Sequence, residues 1–377
     1  MKKILLLAAA VAAVACAKEA PLSYNEFAAP IEEGLPEASV QFRSNVKATV
    51  GLKSQGGVDA WDATQNLHVY GFQRVAGGID YTTATPFINN VIAVSPAAGA
   101  ANNQLSVLNS DKKPFFYEGN NTYDFYGFYV DDLPVKPTAT TTGIYVPVTI
   151  TGGEDLMVAK ADPSVDGTVL SDYRYAYSAY AARRGVQPTL TFKHQLVQFR
   201  FQITSGTSFE TTGDAEKNMY VTNLTLNARN SADLYVAGAP MGLQNISDER
   251  TDLALRSLVD GKLVNLVPYE LPDKDVVVAE GANVLGESLM VIPNEDLSAP
   301  FEGELTVTQF GETHPVPFTL KSENLLETSE KQFAPGYSYV VTIKLHGLEA
   351  IVVSAELEPW KNGGKINIDT DEAPEIF

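Results

Sequence analysis

The chain has a single cysteine, Cys16, in 377 residues. One thiol excludes a disulfide within the chain, so the fold has to rest on burial of apolar surface. Histidine is scarce too. His68, His194, His314 and His346 lie in separate segments, and none belongs to an HExxH or another close metal-ligand spacing. Positive charge is short as well: 27 Lys and Arg stand against 46 Asp and Glu, a formal net charge of −19. Phosphate backbones are held by Lys and Arg, so this balance argues against nucleic acid as a partner. No glycine-rich loop opens a helix. GESLM (286–290) and GYSYV (336–340) lack the second glycine of a nucleophile elbow. ADPSVDG (161–167) lacks the alternating ligands of a calcium loop and reads as an acidic surface turn. Asp131/Asp132 and Glu32/Glu33 are adjacent, so on a strand each pair would point to opposite faces, unlike the facing carboxylates of glycoside hydrolysis. The expectation is a protein that is not an enzyme and holds no cofactor and no metal.

What is present begins at the N-terminus. Lys2 and Lys3 precede an apolar run, Ile4 to Val14, which is shorter than the roughly 20 residues of a spanning helix. Ala13-Val14-Ala15 then lead into Cys16. A basic start, an apolar stretch and small residues are the layout of a secretory signal peptide. Cysteine directly after the small residues resembles a bacterial lipobox, in which the thiol takes up diacylglycerol and becomes the new N-terminus. The alternative is a plain signal peptide with a chance cysteine. A lipidated Cys16 would hold the chain to a membrane, since acyl carbons contribute about 0.8 kcal/mol per buried CH₂. Residues 1–15 are thus read as a lipoprotein signal peptide. The polar, proline-bearing stretch 16–38 is read as an extended tether or propeptide.

The remainder reads as strand after strand. In ASVQFRSNVKATVG, Val40, Phe42, Ser44, Val46, Ala48 and Val50 share one parity, and Gln41, Arg43, Asn45, Lys47 and Thr49 the other, which argues for a strand with one buried face. LHVYGFQ, YDFYGFYV, GIYVPVTI, YVTNLTLNA, GELTVTQF and YSYVVTIKL are rich in Val, Ile, Tyr, Phe and Thr, with turn residues between them. In LTFKHQLVQFRFQI the apolar parity switches between Leu196 and Val197, as a bulge or a crossing from one sheet to another would require. His194 shares the inward parity of Leu190 and Phe192. SDERTDLALRSL (247–258) is the best helix candidate, with Ser247 as N-cap. The pattern predicts an all-β protein of β-sandwiches. The polar stretch 205–218 suggests a boundary between an N-terminal β-sandwich domain (39–205) and a C-terminal one (206–377).

Two polar stretches stand apart. Tyr173, Tyr175 and Tyr177 would share one strand face, either exposed as a ligand face for a glycan or protein, or buried as core wall. Arg183-Arg184 beside them reads as a solvated loop or as a nick site for a trypsin-like protease.

Several segments in order carry a family resemblance: the lipobox at Cys16, VQFRSNVKATV, WDATQNLHVYGF (61–72), YDFYGFYV (123–130), the His194 strand, FAPGYSYVVTIKL (333–345) and IVVSAELEPWKNGGKINID (351–369). Together they resemble the fimbrillin family of Bacteroidia, the subunits of type V pili. The resemblance implies two transthyretin-like β-sandwich domains in tandem, export as a lipoprotein and anchoring at the outer membrane. It implies that an arginine-specific protease removes the first strand with its lipid. Other fimbrial subunits would then join by β-strand addition. Arg43 is the cleavage candidate by residue type and position; the alternative is a surface arginine within the strand. Ile366, Ile368 and Thr370 alternate after Gly363-Gly364 and are the candidate donor strand, unless they complete their own domain. A second function class stays open, an outer-membrane-anchored glycan-binding lipoprotein. Such readers use exposed aromatic platforms, and here only two tryptophans occur, Trp61 and Trp360.

Overall fold

The computed structural model describes residues 28–46, 65–93, 102–161, 164–165, 168–169, 177–205, 218–260, 262–271, 283–325, 331–345 and 351–358, of which 45–46, 102–103, 164–165, 168–169 and 351–358 are described for backbone alone. Strands are numbered β1–β24 along the chain. Seven build the first sheet: β1 (Phe42–Val46), β2 (Leu67–Gln73), β3 (Ile88–Ala93), β4 (Asn102–Leu105), β5 (Tyr123–Tyr129), β8 (Met157–Lys160) and β11 (Thr189–His194). Their order across the sheet is β3-β2-β5-β8-β11-β1-β4.

This sheet explains why β2 and β5 read as near-continuous apolar runs. Side chains alternate across a strand, and here both faces are covered. Leu67, Val69, Phe125, Met157, Leu190 and Phe192 face one core together with Val40, Phe42, Tyr117 and Tyr177. Tyr70, Phe72, Tyr126, Phe128 and Val158 face the other. A second sheet shares that other core. It runs β15-β14-β7-β6, from β6 (Thr138–Ala139), β7 (Gly143–Thr149), β14 (Ser231–Gly238) and β15 (Gly242–Gln244). Val146, Val148, Leu234 and Val236 are among its buried side chains.

The third sheet runs β20-β12-β23-β24, from β12 (Val197–Ser205), β20 (Val284–Val291), β23 (Ser338–Leu345) and β24 (Ile351–Glu358). The fourth joins β13 (Tyr220–Arg229), β16 (Arg250–Ala254), β21 (Phe301–Gln309) and β22 (Glu312–Leu320), with the short β19 (Tyr269–Glu270) on β13. Aromatic rings fill the space between them. Phe199 meets Phe301 and Phe333 edge-on, each at 5.4 Å, and Phe333 meets Tyr339 at 5.3 Å. Two small hairpins, β9–β10 (Ser164–Val165, Thr168–Val169) and β17–β18 (Arg256–Val259, Lys262–Asn265), complete the strands. The one described α-helix is a single turn, α1 (Ala179–Ala182), capped by Ser178, whose hydroxyl accepts from the Ala181 N–H. The fold class is all-β, as the alternation predicts.

The parity switch at Leu196/Val197 marks a crossing between sheets. β11 ends in the first sheet at His194 and β12 begins in the third at Val197. The crossing is pinned from inside. His194 Nδ1 lies 2.9 Å from Asp155 Oδ2, with both side chains buried. Pairing also links the segments on either side of residue 205: β7 pairs with β14, and β12 with β20 and β23. Residues 247–258 are a correction, since they form β16 and β17 and not a helix. β16 pairs with β13 from Thr225↔Ala254 to Arg229↔Arg250, and Leu253 is buried by that pairing. Ladder bonds and burial override a local helix preference. Ser247 caps no helix; its hydroxyl accepts the Glu249 N–H in a turn.

Close approach fixes one glycine in the first sheet. A Cβ on Gly127 would sit 2.8 Å from the Phe192 ring and 3.0 Å from Leu190. Gly127→Val should therefore overpack this core and lower stability by about 1–3 kcal/mol, read as a loss of midpoint in urea unfolding. His68 gives a second test. It stacks on Phe128 at 4.7 Å and its Nδ1 meets Asn90 Oδ1 at 2.8 Å. Burial, partly offset by the Asn90 hydrogen bond, holds its imidazole below the ordinary 6.5. The unfolded chain then binds this proton more readily than the folded one, so His68 favours folding above 6.5 and that share is lost as pH falls below it. His68→Gln should flatten the loss of stability just below pH 6.5, measured as the difference from the unsubstituted protein.

Candidate functional site

Residues 28–46 lie along the fold and enter the first sheet as β1. The segment expected to be a tether is, from Ala28 onward, hydrogen-bonded to the fold. Ala28 bridges Asn121 and Ser39 bridges Phe116. The Ala29 N–H donates to Asn120 O at 2.7 Å, Val40 N–H to Phe115 O at 2.8 Å, and Tyr117 N–H to Ala38 O at 3.0 Å. β1 then enters the sheet between two strands. It runs parallel to β11, from Arg43↔Thr189 to Val46↔Phe192, and antiparallel to β4, from Phe42↔Leu105 to Asn45↔Asn102. Among the described strands, β4 pairs with β1 alone.

The alternation read from the sequence is what seats β1. Val40, Phe42 and Ser44 point inward and are buried, while Gln41 and Arg43 point out. The Phe42 ring lies edge-on to Phe125 at 5.1 Å, within the core that also holds Phe192 and Tyr117. Arg43 is thus a surface side chain on an interior strand. Its own N–H donates to Pro188 O at 3.0 Å.

Ahead of β1, residues 30–37 are held by charge. Glu32 Oε2 accepts from Arg183 Nη1 at 3.2 Å, and Glu32 Oε1 from Arg184 Nη2 at 2.6 Å. Arg183 also donates from Nη2 and Nε to Pro36 O, at 2.9 and 3.3 Å. The Arg184 hydrogen bond foremost, with that from Arg183, holds the Glu32 carboxyl below its ordinary range against a smaller effect of burial. Arg184 is anchored in turn by the backbone. Its Nη1 donates to Tyr180 O at 2.8 Å, and its guanidinium lies 3.5 Å over the Tyr180 ring. A cleft of about 600 Å³ opens between residues 30–37 and the chain around Pro114–Glu118, with Phe87, Phe115 and Phe116 in its wall.

The other sequence candidates fall as follows. Cys16, Tyr173, Tyr175, Ile366, Ile368 and Thr370 lie outside the described residues. Tyr177 is buried, 3% exposed, at a bend before α1, with its ring 5.8 Å from that of Phe125. His68, His194 and His314 are brought to no common site, and among the described residues no three His, Cys, Asp or Glu side chains group as metal ligands. Arg183-Arg184, read as a loop or nick site, is half of the clamp on residues 30–37. The other half, Glu32, was missed. The one signal in the sequence was the pairing of an acidic, proline-bearing stretch with the chain's only Arg-Arg dipeptide.

Fold and site together define an all-β protein whose own N-terminal segment supplies an interior strand. A family model described as fimbrillin-like matches residues 53–360, and the chain belongs to that family. No curated protein matches the chain. Among solved structures, a candidate cell adhesion protein from Bacteroides uniformis is 16% identical, with 86% of this chain and 98% of that one covered and a TM-score of 0.48. A candidate cell adhesion protein from Parabacteroides distasonis is 9% identical over 87% of this chain and 100% of its own, with a TM-score of 0.42. Candidate polysaccharide binding proteins from Bacteroides thetaiotaomicron are represented by a structure 12% identical, covering 88% and 99%, with a TM-score of 0.36.

The seating of β1 predicts its own measurement. Phe42→Ala should cost about 3–5 kcal/mol, as for other fully buried phenylalanines. Amide exchange should accelerate first in β1 and β4, because β4 has no other described partner.

Proposed function

We propose that the chain is a structural subunit of a cell-surface fimbria, with a role in adhesion, assembled by exchange of the strand that β1 now occupies. The observation that carries this reading is the position of β1. It is supplied by a segment near the N-terminus, lies between β11 and β4, and fills a pocket with Phe42. Removing it would leave unpaired main-chain groups on β11 and β4 and an open apolar groove, the conditions under which a foreign strand binds by β-addition. An incoming strand that restores both pairings runs parallel to β11 and presents apolar side chains at alternate positions. A head-to-tail contact of this kind does not close on itself and grows a filament. Membership of the fimbrillin-like family supports the same reading.

The precursor is held at the outer membrane through lipid on Cys16 and matures at the cell surface. An arginine-specific protease cuts after Arg43. That bond lies in a strand paired on both sides, whereas proteases bind their substrate as a free extended strand. Cutting therefore follows local opening of β1, and its rate tracks the population of the opened form. Ile366, Ile368 and Thr370 of one copy are the donor strand for the next.

Treatment of the full chain with an arginine-specific protease is the test. A regular ladder of bands on an unboiled denaturing gel is expected from the unsubstituted protein, and none from Arg43→Ala. A protein that is cut after Arg43 and stays monomeric, or one that stays monomeric and binds polysaccharide, would sink the assembly reading.

A further inference from the structure

A second cleft, of about 520 Å³, is lined by Tyr81 and Tyr126, which belong to the core shared with the second sheet, whereas Phe42 of β1 belongs to the other core. Separate stretches of chain meet in this cleft. Tyr81 comes from the loop between β2 and β3, Tyr126 from β5 and Lys160 from the end of β8; Thr142 stands in the turn before β7, and Gly238 ends β14. The two turns are packed together. The Ala239 N–H donates to Thr142 O at 3.2 Å, and a Cβ on Gly238 would run into that same oxygen. Both tyrosine side chains are buried, and their hydroxyl oxygens are 3.1 Å apart. Burial foremost raises the pKa of both phenols, so both keep their protons. The single O–H···O bond between them uses one of the two protons. The other has no acceptor among the described residues, so the pair carries a donor to spare. The Lys160 ammonium supplies further donors. It lies 5.4 Å over the Tyr126 ring and 3.9 Å from Asp124 Oδ1, beyond hydrogen-bond reach. An acceptor stands in the same wall. Asp80 Oδ1 takes the Thr82 N–H and hydroxyl at 3.0 and 2.6 Å, which leaves Oδ2 without a described partner.

We infer that this cleft is a saccharide site that seats one neutral, polyhydroxylated ring of a glycan. A sugar hydroxyl donates and accepts at once, and so answers a wall that offers both kinds of group. Charge selects against an anion. Lys160 and Asp80 are the charged residues of the wall, and Asp124 stands beside Lys160, so an anionic ligand meets more negative charge than positive. An apolar ligand is disfavoured for a different reason, since it would cover the spare tyrosine proton and the ammonium without pairing them. The volume lies within the range of small-molecule sites, about 300–1,000 Å³. Because Phe42 packs in the other core, an exchange of the strand at β1 leaves the residues of this cleft where they are. The site goes beyond the proposed function by giving adhesion a class of ligand, and it rests on no step of assembly.

The experiment titrates the uncut full chain with methyl glycosides of glucose, galactose, mannose and N-acetylglucosamine, and with glucuronate as the anionic comparison, followed by saturation-transfer NMR. At least one methyl glycoside should bind with a Kd of about 1 mM, and glucuronate about tenfold more weakly. The count of protons makes a sharper prediction. Tyr81→Phe or Tyr126→Phe alone leaves one O–H to donate, so each should bind within about threefold of the unsubstituted chain; the double substitution leaves none and should weaken binding at least about tenfold. Lys160→Met should weaken it by about as much. Unfolding midpoints identify a variant that fails to fold; if the double variant does, Lys160→Met and Thr142→Ala, in a β8 end and an exposed turn, decide the placement. No binding of any methyl glycoside at about 10 mM overturns the site. Glucuronate binding as tightly as the glycosides overturns the neutral ligand, and binding untouched by the double tyrosine substitution and by Lys160→Met overturns the placement. Failure here leaves the protease ladder as it was, and a missing ladder leaves this cleft as it was.

Discussion

Main-chain pairing of β1 on both of its edges is the constraint on which the first sheet depends. β11 has β8 on its far side, whereas β4 has only β1 among the described strands. A strand so placed is not decoration on an edge. Its loss would strand buried donors and acceptors at about 1–3 kcal/mol each, together with the apolar surface around Phe42. The N-terminal segment thus completes the first sheet.

The inlay is held by two physically different means. Within β1 the hold is non-polar and main-chain: Val40, Phe42 and Ser44 inward, ladder bonds to either side. Ahead of it the hold is ionic and half in solvent, at Glu32, Arg183 and Arg184. The first resists salt and depends on shape; the second weakens with ionic strength and depends on charge. Burial and main-chain pairing hold β1, and the ionic clamp holds the residues ahead of it.

Much of the fold was legible because strand physics is local. The parity of Val40, Phe42 and Ser44 against Gln41 and Arg43 gave β1 its faces. The switch at Leu196/Val197 gave the passage between sheets, which the structure pins with His194 and Asp155. The failure at 247–258 has an equally definite cause. Its local pattern satisfied helix rules, and the competing ladder on β13 came from residues 225–229, which no reading confined to that segment could weigh. The clamp was hidden for the same reason on a larger scale, since Glu32 and Arg183 are 151 positions apart. Tyr177 shows the limit from the other side: a tyrosine that reads as one of a face of three turns inward at the bend ahead of α1.

By itself the sequence determined the all-β class, the absence of any disulfide within the chain and the inward and outward faces of β1, because side-chain alternation and cysteine count are properties of the chain alone. Tertiary structure decided which strands are neighbours, that an N-terminal segment lies inside a sheet, and that an acidic stretch meets two arginines. Those outcomes are set by contacts between distant residues, whose free energies exist only once the chain has brought them together.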